Sequence, residues 1–349
     1  MRRNMSKPGV VILNLGSPKS PEVPDVREYL AEFLGDDRVL DTNPVIKWFV
    51  LNGIILRTRP AKSAAAYKSV WTPEGPSLLV TTEKLRKAVD AVMAGKVKLY
   101  TAMRYAEPSC DNVAKQIAAD GITELLIIPQ YPQYAMSSYE TAEIRLREAL
   151  AEHAPTVKFT LVQPFYNDAG YIDAMAEVAK PYLDKPYDKL LFSFHGVPRR
   201  HMVKADSSHA HCMSRPDCCA IAHPCQSTCY RHQCFAMVKA FVASTGLAEG
   251  KYEVSFQSRL GREEWLKPYT DFRLNDLPGE GVKKLVVMSP AFTADCLETL
   301  EEMAEEGKET FLHAGGESYS LVPCLNDHPA YVAWTADRIT RWLAGETRL

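Results

Sequence analysis

The chain has 349 residues, of which 46% are hydrophobic and 24% charged, the proportions of a globular protein with room for two ordinary domains. Its 41 Lys and Arg against 43 Asp and Glu leave a net charge of −2, so no bulk field favours nucleic acid or an anionic membrane. No apolar run reaches the length of about 18 residues that a spanning helix needs.

Met1–Leu15 imitates a signal peptide, with Arg2, Arg3 and Lys7 ahead of an apolar run. That run is short, carries Asn14 and meets Gly16-Ser-Pro without a small-residue cleavage site, so it reads as the first strand. The chain is therefore expected in the cytoplasm, where clustered thiols bind metal more often than they pair as disulfides.

Strand-like runs recur at Gly9–Leu15, Val97–Met103, Glu124–Pro129, Val157–Gln163, Lys189–His195, Tyr252–Gln257, Lys283–Ser289 and Ser318–Val322, with helical patterns between them. Near-continuous apolar strands alternating with helices predict an α/β fold of parallel sheets covered on both faces. Eight such runs suit two four-stranded lobes, residues 1–164 and 165–328, whose facing strand tips would enclose a cleft. Pro329–Leu343 has an apolar helical period, and the segment 329–349 is expected to pack back on the first lobe.

Between the first two strands, Val45–Leu56 is apolar and is followed by the basic segment Arg57–Lys62. Length alone favours a buried helix. The sharper reading is an exposed lip over residues 45–62 that touches a large flat ligand or the periphery of a membrane. Tyr105, Tyr131, Tyr134, Tyr139 and Trp265 follow strand tips and would together line a pocket for a planar aromatic ligand, although each taken singly reads as packing.

Lys189–His195 ends on a histidine presented at the C-terminal edge of a strand, where open α/β sheets bind ligands. Six of the nine cysteines follow within a short insert, residues 205–234: Cys212, Cys218, Cys219, Cys225, Cys229 and Cys234. Cys110, Cys296 and Cys324 lie far from them and read as small buried hydrophobes. Lys283–Ser289 leads into a helix expected near Asp295, with Asp295 and Glu298 spaced like a capping pair. Glu298, Glu302 and Glu306 would form one acidic ridge, drifting about 40° per step on an ideal α-helix. A π-type widening would bring them into line. For Glu305 and Glu306 a plain solvated face is the simpler reading. His195 and Glu298 make a mixed imidazole–carboxylate pair, suited to Fe²⁺ and to accepting protons near neutral pH.

Phe192-Ser-Phe-His-Gly-Val-Pro, Phe256-Gln-Ser-Arg-Leu-Gly, Trp265-Leu-Lys-Pro-Tyr-Thr, Pro290-Ala-Phe-Thr-Ala-Asp-Cys-Leu-Glu-Thr-Leu-Glu-Glu and Pro323-Cys-Leu-Asn-Asp resemble ferrochelatase. So do Leu13-Asn-Leu-Gly-Ser-Pro, Met103-Arg-Tyr and Gln130-Tyr-Pro-Gln-Tyr, in family order from about Gly9 to Leu343. The resemblance implies two Rossmann-like lobes and insertion of Fe²⁺ into protoporphyrin IX to give protohaem, with release of two protons. It implies His195 and Glu298 as catalytic residues that also meet the substrate iron, and Asp295, Glu302 and Glu306 as the acidic ridge. Leu15, Tyr67, Arg104, Tyr105, Tyr134 and Trp265 would surround the porphyrin. Coproporphyrin III, another metal, or a non-enzymatic iron–sulfur or haem sensor are the alternatives. Retention of both His195 and Glu298 favours the enzyme.

The family's Gly-Ser-Pro-Leu turn stands here as Gly75-Pro-Ser-Leu78. The larger departure is the cysteine insert. Four thiolates there suit a 2Fe–2S cluster or zinc, and some ferrochelatases carry 2Fe–2S, which tilts the expectation to iron. Cys212, Cys219, Cys229 and Cys234 are the expected ligands, with Cys218 and Cys225 in reserve.

Overall fold

The computed structural model describes residues 7–259, 261 and 263–349. Its strands are β1 (Gly9–Asn14), β2 (Lys98–Met103), β3 (Glu124–Pro129), β4 (Lys158–Leu161), β5 (Lys189–His195), β6 (Tyr252–Gln257), β7 (Lys284–Met288) and β8 (Ser318–Leu321). They form two parallel four-stranded sheets, ordered β2-β1-β3-β4 and β6-β5-β7-β8. Each sheet places its second strand at one edge, its last at the other and its first strand inside, so the same winding occurs twice.

The strand sequences follow their places in the sheets. Val10–Leu13 on β1, Leu125–Ile128 on β3 and Leu190–Phe192 on β5 are buried on both faces, which is why they read as unbroken apolar runs. The edge strands β4 and β8 carry Lys158, Thr160, Ser318 and Ser320 and stay partly exposed. All strands of a sheet run the same way, so the loops after β1, β2 and β3 share one edge, as do those after β5, β6 and β7.

The chain divides into two compact units. One comprises residues 1–130, 136–163 and 332–349; the other comprises residues 131–135 and 164–331. The end of the C-terminal helix Pro329–Leu343 thus belongs with the first sheet, where Gln163 N donates to Leu349 O at 2.9 Å.

The segment after residue 43 corrects the expectation of a buried helix. Asn43 caps the turn, its side-chain oxygen accepting from Val45 N at 3.0 Å, and Pro44 occupies the first helical position. The helix then widens into a π-type stretch over Phe49–Ile55 before continuing as Leu56–Ser69. Leu51 and Leu56 reach the core formed with Val26, Tyr29 and Tyr105, and Ile55 packs against it half-buried. Trp48 and Phe49 are 61% and 62% exposed, and Val45, Ile46 and Ile54 stand out beside them. No helix among the described residues is long and apolar enough to cross a membrane.

Candidate active site

β5 delivers His195 to the sheet edge, and the next residue fixes how it is held. Gly196 N donates to Gln257 O at 2.8 Å. A Cβ at Gly196 would lie 2.6 Å from that oxygen and 3.2 Å from the Trp265 ring, so only glycine permits this approach. Leu266 N donates to Val197 O at 3.0 Å and Arg199 N to Glu264 O at 2.9 Å, which sets Trp265 beside the histidine. The His195 ring lies between Trp265 and Phe292, with centroids 6.4 and 6.1 Å away.

Burial lowers the pKa of His195, and the neighbouring Glu298 carboxylate and the Gly196 carbonyl oppose that shift. Nδ1 lies 2.6 Å from Gly196 O. In a neutral ring that nitrogen carries the proton and donates to the carbonyl, so Nε2 keeps its lone pair as base or metal ligand. Below the ring, Ser193 Oγ donates to Gln257 Oε1 at 2.7 Å, and Gln257 Nε2 reaches Glu298 O at 3.4 Å. Buried polar bonds thus tie β5 and β6 to the start of the acidic helix.

That helix is π-type over Glu298–Gly307 and becomes α-helical over Lys308–His313. The i→i+5 pattern brings residues four apart closer to alignment than an α-helix does. Thr299, Met303 and Gly307 form its buried row, and Glu298, Glu302 and Glu306 are one position back on each turn. Glu302 is raised to about 7, first by burial and then by the charges of Glu298 and Glu306, against hydrogen bonds from Ser258. Asp295 lies apart from this row in its bonding. Its carboxylate accepts from Asn326 Nδ2 at 2.6 Å, Thr299 Oγ1 at 3.1 Å and Cys324 N at 3.2 Å, which closes the turn ahead of the helix.

In the first unit, Leu15 O accepts from Tyr105 N at 2.8 Å, and Gly16 turns there with φ 110°. A Cβ at Gly16 would lie 1.9 Å from Tyr105 O. Leu15 and Tyr67 pack half-buried against the cluster that contains Tyr29 and Tyr105. Tyr105 itself is wholly buried, its hydroxyl donating to Asp36 at 2.9 Å. Arg104 pairs with the same carboxylate at 2.6 Å, donates to Thr141 at 2.7 Å and stacks on Tyr105 at 4.3 Å. Arg104 thus directs its charge to Asp36 inside the fold, and the buried Tyr105 holds the Leu15 carbonyl through its backbone N–H. Tyr131 and Tyr139 are also buried. Tyr134 is half-exposed, in the segment 131–135 that belongs with the second unit.

The Ferrochelatase family matches residues 7–343. A ferrochelatase from Opitutus terrae is 49% identical over 99% of this chain and 100% of its own length. One from Pseudomonas entomophila is 46% identical over 94% and 97%. The chain belongs to the ferrochelatase family. It is an enzyme of the ferro-lyase class, inserting iron into a porphyrin. Among solved structures, SirB from Bacillus subtilis with Fe³⁺ is 11% identical over 96% of this chain and 95% of its own, with a TM-score of 0.48, a likeness too slight to add to the topology.

The cysteine insert lies in the second unit, after β5. Cys212, Cys218, Cys225, Cys229 and Cys234 are buried, and Cys219 is half-buried. Cys212 Sγ lies 3.4 Å from Cys225 Sγ, and Cys229 adjoins both Cys212 and Cys219. Burial and the adjoining Cys225 push Cys212 up to about 12, and Cys219 is raised by Cys229 and by burial. Such thiols give up their protons only to a cation that replaces them. The donors are soft sulfurs, and the nearby Asp206 carboxylate is already occupied by the N–H groups of Ser208, His211 and Cys212 at 2.8–2.9 Å. The set therefore fits a thiolate-bound metal group. His211 and His223 stack at 4.2 Å beside Cys225 and complete a second ligand combination with it.

Sequence reasoning passed over Ser258, Gln257 and Tyr230. The first two lie in the Phe256-Gln-Ser-Arg string but carry no pattern of their own. Tyr230 lies between two cysteines, and its partner His195 is 35 residues away in sequence, so it leaves no local pattern.

Proposed function

We propose that the chain inserts Fe²⁺ into protoporphyrin IX with release of two protons. The observation that carries this is His195, its pKa lowered by burial and its Nδ1 held at 2.6 Å by Gly196 O, beside Glu298 at the head of the row Glu298, Glu302, Glu306. His195 Nε2 takes a pyrrole proton. The row of carboxylates guides the substrate cation and carries protons away, and Glu302, at about 7, gains and loses a proton near neutral pH. Trp265 and Phe292 flank the imidazole and limit water at the face where the ring nitrogens replace it. Asp295 holds the turn before Glu298 and does not meet metal.

In the insert, Cys212, Cys219, Cys225 and Cys229 would hold a 2Fe–2S cluster. Cys225 takes the place first given to Cys234, because it adjoins Cys212, whereas the Cys234 thiol is hydrogen-bonded to Tyr230. Held there, the group would crosslink the insert and play a structural or sensory part, since metal insertion itself moves no electrons. Trp48, Phe49, Ile46 and Ile54 would rest on a membrane surface that holds the sparingly soluble porphyrin.

The test is an anaerobic assay of Fe²⁺ with protoporphyrin IX, read by the haem spectrum, with coproporphyrin III run in parallel. Haem formation from protoporphyrin IX is expected, and turnover of coproporphyrin III alone would reassign the substrate. Iron, sulfide and zinc analysis of the same protein decides the insert. Stoichiometric zinc without sulfide would replace the cluster with a zinc site.

A further inference from the structure

The helix Tyr230–Thr245 leaves the insert directly after Cys229, and its first turn is aimed at the site. Tyr230 is 4% exposed; its hydroxyl donates to His195 O at 2.8 Å and also touches the Cys234 thiol. Gln233 is fully buried and bridges two segments. Its side-chain carbonyl accepts from Tyr134 N at 2.7 Å, and its amide donates to Ser227 O at 2.9 Å and Gln226 O at 3.3 Å. Gln226 and Ser227 lie in the short 3₁₀ turn Pro224–Ser227, between Cys225 and Cys229. A metal on those two thiols would fix that turn. If the turn loosens, Gln233 loses both acceptors while buried, and a buried donor left without partners is costly. The same helix also grips the neighbouring segment through Met237, whose sulfur lies 3.2 Å from Gln133 Nε2.

We propose that Tyr230 and Gln233 are positioning residues for metal insertion, through which the state of the cysteine insert acts on His195 and Tyr134. This rests on the chelatase reading for its activity arm only. Neither side chain needs to touch porphyrin or iron. Tyr230 fixes the backbone at His195, and Gln233 fixes the backbone at Tyr134, each from the insert side.

The experiment uses the full chain, prepared anaerobically with ¹⁵N-histidine and compared with Tyr230→Phe and Gln233→Glu. His195 is assigned by the resonance lost in His195→Gln. The insert is loosened in two ways, by a chelator and by Cys225→Ser. In the wild type, either treatment is expected to move the His195 ring resonance and lower kcat about tenfold, with the porphyrin KM within about twofold. Tyr230→Phe keeps the ring and the packing. It is expected to start with the lowered kcat, and its His195 resonance should no longer follow the insert. Gln233→Glu keeps the acceptor for Tyr134 N, loses both donors to the insert and should behave the same way for kcat. A Tyr230→Phe enzyme with wild-type kcat, or one whose His195 resonance still follows the insert, overturns the proposal. Should the wild type insert no iron, the function fails, and the resonance alone still decides the coupling.

Discussion

Ser258 holds both oxygens of Glu302: its backbone N–H donates to Oε1 at 2.9 Å and its hydroxyl to Oε2. The residue stands just past β6 with φ 65°, in the left-handed region that non-glycine residues seldom occupy. The two bonds favour the ionised carboxylate, while burial and the charges of Glu298 and Glu306 favour the acid, and the balance is a pKa of about 7. That opposition sets where the Glu302 carboxyl titrates.

Ser258→Ala removes the hydroxyl and leaves the backbone bond. The Glu302 pKa should rise further, so the acid limb of kcat/KM should move up by about half to one pH unit, the equivalent of one hydrogen bond. A pH–rate profile from 5.5 to 9 reads this. An unmoved limb would mean that Glu302 does not need to ionise.

Glu302 also links stability to pH. Its pKa is raised in the folded state from 4.5 to about 7, so the folded chain holds a proton that the unfolded chain releases. The contribution is fully present below about 4.5 and is lost as pH rises through about 7. Glu302→Gln abolishes the titration, so its Tm should gain on the wild type between pH 5 and 8. Parallel melting curves at the two pH values check this, and a constant difference would contradict it.

Gly196→Ala places a methyl group against Gln257 O and the Trp265 ring. Overpacking of this kind costs about 1–3 kcal/mol. The displaced neighbours are those that frame His195, so kcat should fall more than the loss of stability explains. Denaturant melts together with kcat separate the two effects, and a variant that loses stability but keeps kcat would free the turn from any role in catalysis.

The exposed lip predicts a separable effect. Trp48→Ser with Phe49→Ser should weaken binding to vesicles of anionic phospholipid by more than about tenfold, since each side chain buries about 1.5–3 kcal/mol of apolar surface. Turnover with detergent-dispersed porphyrin should be unchanged. Equal sedimentation of wild type and variant with vesicles would rule the contact out.

The eight strands were legible because parallel strands buried on both faces leave unbroken apolar runs between helices. The position of His195 followed from the same pattern, a short apolar run ending on His-Gly. The four-residue acidic spacing of the Glu298 helix raised a π-type widening only as what would align its carboxylates, and the structure has that widening over Glu298–Gly307. The lip was not settled, because Val45–Leu56 has the composition of a core helix and only the capping by Asn43 and Pro44 and the packing of Leu51 and Leu56 turn the rest outward. Tyr105 reads as a pocket residue because it follows a strand tip, and Arg104 and Tyr105 both read as porphyrin neighbours through the family resemblance. Their partner Asp36 is 68 residues from Arg104 in sequence, so the pairing that turns them inward leaves no local trace. Tyr230 and Gln233 were invisible for the same reason.

The central claim is that His195 accepts a proton at the porphyrin face beside the carboxylate of Glu298. The direct measurement is single-turnover anaerobic iron insertion by His195→Ala and Glu298→Gln, beside porphyrin binding by fluorescence quenching and a melting curve. Both variants should bind porphyrin and melt close to the wild type, with insertion slowed by at least about a hundredfold, the usual cost of a lost acid–base group. Insertion by His195→Ala at the wild-type rate would contradict the account.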